Sequence, residues 1–155
     1  MAPPLSIDQR LLELQITLPE VQSAGLYQPA VRSGNLLFVS GQLPRSEGKI
    51  AFKGKLGQEV NLESGRRGAR VAMINALAVI KGELGTLDKV KQVLRLTGYV
   101  ASATGFTDQP KVMDGASELL VELFGNAGRH SRAAVGVAEL PLGACVEVDL
   151  ILEIK

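Results

Sequence analysis

Two charged residues set into otherwise apolar runs are the ones in this chain best suited to chemistry on a small molecule. Arg132 stands at the mouth of the run "AAVGVAEL", and Glu147 lies inside the run "ACVEVDLILEI". Arginine presents a rigid fork of donors that meets a carboxylate through two parallel hydrogen bonds, so a partly enclosed guanidinium anchors a small carboxylic acid. A carboxylate held nearby can position and activate a water. The alternative is structural, a cross-strand salt bridge between Arg132 and an acidic residue.

The other candidates have plain readings beside the functional ones. Tyr27 is either a half-buried aromatic or a hydroxyl offered to a ligand. Ser40, in "VSGQ", reads as a turn hydroxyl satisfying backbone or as a site residue beside Gly41. His130 fits a structural hydrogen bond better than a base. Cys145 packs, and Asp149 and Glu153 face solvent or a neighbouring subunit.

Several classes of chemistry find little support. The one histidine and the one cysteine fall in no recognised ligand spacing, so no metal is expected. Walker and dinucleotide glycine loops are missing, and a Ser-His-Asp triad around His130 would have no nucleophile elbow. A net charge of +1 and 4% aromatic residues supply neither a field nor stacking platforms for nucleic acid. A single cysteine suits a reducing compartment, and the start "MAPPLSIDQRLLELQITLPE" lacks the pattern of a secretory signal. The expectation is a soluble cytoplasmic protein with no membrane span.

The elements that must position these residues follow from periodicity. At 155 residues, 46% hydrophobic and 21% charged, the chain reads as one domain, 1–155, with material for a core. Ser6 and Gln9 have capping-box spacing ahead of Ile7, Leu11 and Leu14, which predicts a short helix in an N-terminal extension, 1–20. A hairpin is expected around Ser33-Gly34-Asn35, followed by a polar, glycine-rich insertion over 45–57, a loop or loosely held extra hairpin. Asn61 can cap a helix ending at Gly85; a long strand follows over 89–102, then a second helix over 109–125.

Two strands close the chain, joined by the turn Pro141-Leu142-Gly143 and read as hairpin partners. In the last, Val146, Val148, Leu150, Leu152 and Ile154 alternate with Glu147, Asp149, Ile151 and Glu153, which assigns one face to the core. The whole predicts an α+β sandwich, with both long helices on one face of a mixed sheet.

The stretches "LYQPAVRSGNLLFVSGQLP" and "RHSRAAVGVAELPLGACVEVDLILEI", with the element order between them, resemble the RidA family, also called YjgF or L-PSP-like, over roughly residues 20 to 155. The resemblance implies a chorismate-mutase-like fold, a homotrimer with clefts between subunits, and cofactor-independent hydrolysis of enamines and imines such as 2-aminoacrylate to 2-keto acids and ammonia. By motif, the carboxylate-binding arginine is Arg132 and the water-positioning glutamate is Glu147, with the Ala134 carbonyl, Ser40 and Gly41 around the substrate. Tyr27 is implied to arrive from the neighbouring subunit.

Other readings are binding or sensing of small carboxylates such as 2-keto acids, and the ribonuclease activity ascribed to some members. The sequence departs from the deaminating branch in placing His130-Ser131 before the arginine, where a Pro-Ala pair is usual, and Asp114 or Gly115 where an asparagine is expected.

Overall fold

A computed structural model of the chain describes residues 2–21 and 25–155. Helix α1 (Ile7–Glu13) begins at the expected capping box: Ser6 accepts from the Gln9 backbone and Gln9 from that of Ser6. Helix α2 (Leu62–Leu84) starts where the Asn61 side chain accepts from the Ser64 N–H, and it stops at Gly85, whose φ of 83° a side chain would resist. Helix α3 (Gln109–Phe124) buries Val112, Ala116, Leu119, Leu120 and Leu123, which recur at three- and four-residue intervals.

Strands β1 (Ala30–Ser33) and β2 (Leu36–Gln42) form the expected hairpin. Within residues 45–57 the chain forms a second, very small hairpin, β3 (Arg45–Ser46) with β4 (Lys49–Ile50), turning through Glu47 and Gly48 at φ 53° and 76°. Two successive positive φ values match the twist of a tight hairpin. The Asn75 side chain on α2 clamps this piece by donating to the Leu43 and Arg45 carbonyls at 2.8 and 3.1 Å.

Strands β5 (Val90–Ala101), β6 (Ser131–Val137) and β7 (Val146–Ile154) complete a five-stranded sheet in the order β1-β2-β7-β5-β6. Here the expectation of a closing hairpin fails. β6 pairs parallel with β5 at the sheet edge, while β7 runs antiparallel between β2 and β5. A parallel neighbour needs a crossover connection, and α3 supplies it between β5 and β6. The Pro141–Gly143 stretch is a short 3-10 turn on the way from the edge to the centre, not a hairpin turn.

Both long helices cover one face of this mixed sheet, α2 over β2 and β7, α3 over β5 and β6. Between them lies a continuous core that includes Leu37, Met73, Leu77, Leu96, Met113, Leu120 and Leu150, each fully enclosed. The helices cross closely because Gly115 has no side chain: a Cβ there would come within 2.1 Å of the Arg66 carbonyl oxygen. The other sheet face carries no helix and exposes Val31, Phe38 and Val135.

Candidate functional site

Glu147 lies on the helix-free face of β7, opposite Tyr99 of β5 in the ladder. Its carboxylate is half-buried and closely approaches the β2 backbone, where Gly41 leaves the room; a Cβ at 41 would stand 2.9 Å from Glu147 Oε1. Loss of solvation pushes the Glu147 carboxyl above its ordinary range, and the negative charge of Asp149 adds to the effect. Asp149 in turn accepts from the Tyr99 hydroxyl at 2.8 Å.

Glu147 and Gly41 open into a cavity of about 480 Å³ that Tyr27, Gln42, Arg45 and Asn75 also line. Tyr27 is more exposed than its half-buried reading, at 58%. Ser40 donates to the Gln28 carbonyl at 2.6 Å, the backbone role expected of a turn hydroxyl, and so ties the segment carrying Tyr27 to β2.

Arg132 is elsewhere. In the parallel ladder it faces Leu96, a core residue, whereas Glu147 faces Tyr99 three positions on, so the two side chains project from opposite faces of the sheet. β5 lies between their strands, which rules out a direct cross-strand salt bridge between them. Arg132 instead reaches α3, where its Nη1 donates to Asp114 Oδ1 at 2.8 Å and Ser117 Oγ at 3.1 Å. The Arg132 side chain keeps 23% of its surface open. Among the described residues, none accepts from Nε or Nη2, which leaves one edge of the fork available.

The arginine is therefore paired with an acid, but through a helix and not across strands. Asp114, not Gly115, is the residue that meets it, since Gly115 is turned into the helix crossing. Ser117 was not foreseen; the signal was its spacing of three from Asp114 on one helix, which puts both on one face. His130 has the structural contacts expected of it, with Nε2 2.9 Å from Ser117 Oγ and Nδ1 2.7 Å from the Gly128 carbonyl. Burial lowers its pKa, and the Arg132 charge acts in the same direction, against a backbone hydrogen bond that raises it. Cys145 is buried and its thiol is pushed up to about 11, so it packs as expected and has little thiolate at neutral pH.

The candidate residues thus fall into two groups. Tyr27, Gly41 and Glu147 share a cavity, while Arg132 lies with Ala134 on the edge strand, its side chain against α3. Among the described residues, no cluster of three His, Cys, Asp or Glu side chains is placed to hold a metal ion, and no helix is long and apolar enough to cross a membrane.

A family model described as "YjgF/chorismate_mutase-like, putative endoribonuclease" matches residues 8–154, a span that includes most of α1. The chain is 42% identical over 147 residues to Protein TCP17 of Trypanosoma cruzi, covering 94% of this chain and 92% of the relative. The crystal structure of Atu1372 from Agrobacterium tumefaciens, of unknown function, superposes with a TM-score of 0.91 at 48% identity, covering 96% of this chain and 92% of that one. A Shewanella oneidensis structure described as a "putative endoribonuclease" gives 0.94 at 38% identity, covering 97% and 100%.

Proposed function

Because the chain belongs to the YjgF/Rid family of chorismate-mutase-like fold, we propose that it hydrolyses small 2-imino acids and their enamine forms. The products are 2-keto acids and ammonia, and the substrates are of the 2-aminoacrylate and 2-iminobutyrate type. The observation that carries this reading is a guanidinium whose Nη1 side is committed to Asp114 and Ser117 while its other edge donates to no described residue. Such a fork fits a carboxylate. The helix-free sheet face, with Phe38 and Val135 exposed, supports a homotrimer in which the Tyr27, Gly41 and Glu147 part-site of one copy meets the Arg132 and Ala134 part-site of the next.

In that cleft Arg132 holds the substrate carboxylate and fixes the C=N carbon in front of a water. Glu147 takes a proton as the water oxygen bonds to that carbon and the C=N electron pair moves to nitrogen, and it then passes that proton to the nitrogen. As the C–N bond of the resulting carbinolamine breaks, its hydroxyl proton passes to the departing nitrogen, which leaves as ammonia, and the keto acid remains. A glutamate with a raised pKa is a stronger base than an ordinary one and is matched to work closer to neutrality. The imine carbon is already electrophilic, so positioning and one proton acceptor are what the site has to supply.

Ammonia release from freshly generated 2-iminobutyrate tests the reading. Arg132→Ala is expected to lower kcat/KM by about a hundredfold, and Glu147→Gln to lower kcat by a similar factor with KM little changed. Full activity in an assembled R132A protein would refute the anchor. Saturable 2-oxobutyrate binding without turnover, surviving Glu147→Gln, would make the cleft a receptor for small carboxylates instead.

A further inference from the structure

Arg132 is the first member of a chain of hydrogen bonds with a single proton order. The Gly128 carbonyl can only accept, so His130 Nδ1, 2.7 Å away, carries the hydrogen. In the neutral ring Nε2 is then an acceptor, and the Ser117 hydroxyl, 2.9 Å away, donates to it. With its hydrogen turned toward His130, the Ser117 oxygen presents its lone pairs to Arg132 Nη1 at 3.1 Å. Asp114 takes the other Nη1 hydrogen at 2.8 Å.

The far end of this chain is rigid. Gly128 is buried against α3 so tightly that a Cβ there would lie 2.1 Å from the Leu120 carbonyl oxygen. The order therefore runs from a fixed carbonyl, through His130 and Ser117, to the guanidinium.

We propose that Ser117 and His130 are positioning residues for Arg132, setting the plane of its guanidinium so that the Nε–Nη2 edge faces the substrate carboxylate. The inference rests on the role given to Arg132 above. An ion pair to Asp114 alone would let the guanidinium pivot about one contact, whereas two acceptors on the same nitrogen fix its rotation.

The charged groups around His130 suit a neutral ring. Arg132 on β6 faces it through Ser117, and Asp114 accepts from the same Nη1 as Ser117. Glu118 on α3 is engaged by Arg66 at 2.7 Å, and Arg95 of β5 belongs to the opposite sheet face, in register with Ser131. Burial and the Arg132 charge both oppose protonation of the ring.

The test compares wild type, Ser117→Ala and Ser117→Thr in 2-iminobutyrate hydrolysis and by side-chain ¹⁵N NMR of the one histidine. S117A is expected to raise KM about tenfold with kcat within twofold, since it removes one hydrogen bond to a charged donor, and S117T should restore KM. The wild-type ring should appear as the Nδ1–H tautomer with a hydrogen-bonded Nε2, and S117A should lose the Nε2 signature. An unchanged KM in S117A, or an Nε2–H tautomer in wild type, overturns the proposal. If wild type hydrolyses nothing, the deaminase reading fails by itself and the relay is judged on the 2-oxobutyrate dissociation constant. S117A should then weaken that binding about tenfold, and equal binding by both proteins, or none by wild type, overturns the relay.

Discussion

Glu147 and Asp149 sit two residues apart on the same face of β7, and the charge of the second contributes to holding a proton on the first. The sign of the consequence is definite. A base must be deprotonated to act, so activity falls as pH drops through the Glu147 pKa, and a raised pKa puts that limb above the ordinary glutamate range. Asp149→Asn removes the smaller of the two causes and leaves burial in place. The acid limb of kcat/KM should therefore move partway toward lower pH, which a pH-rate profile of the variant against wild type measures; a limb that stays put would exclude Glu147 as the base.

The identities of Arg132 and Glu147 as candidates were legible in the sequence because a charged side chain inside an apolar run is an expensive placement that calls for a reason. The Arg132 partner was not legible. Asp114 and Ser117 lie on a different element, and only the crossover of α3 brings them beside β6.

At the scale of elements, the α2–α3 crossing is a close contact behind the arginine. Gly115 abuts the Arg66 backbone, and neither helix can move away without disturbing the core stripe below it. Gly115→Ala should cost about 1–3 kcal/mol by overpacking, seen as a lower denaturation midpoint. Because Asp114 is its neighbour, the shift should also raise KM for the imino acid.

Helices, caps and the alternation of β7 could be read from the sequence, since each is a local pattern of period 3.6 or 2. The pairing of the last two strands could not. A Pro-Leu-Gly stretch between two apolar runs has the chemistry of a hairpin turn, yet periodicity carries no information on which edge a strand takes. With α3 leading β6 to one side of β5, the other side was left for β7, which also had to meet β2.

At the scale of the whole molecule, the sheet separates what the proposed reaction needs together. Arg132 projects toward the helices and Glu147 away from them, with β5 between their strands. Folding alone does not bring them into one cleft; the proposed reaction would need a second copy, and the exposed apolar side chains of the helix-free face offer a surface through which copies would meet. This division makes defects in the two part-sites repairable in trans. An R132A chain and an E147Q chain, each strongly impaired alone, should regain activity when unfolded together and reassembled. In a closed ring of randomly mixed chains, about one cleft in four would receive an intact arginine from one parent and an intact glutamate from the other. The two lesions would thus behave as complementing alleles, although each lies in the same small protein.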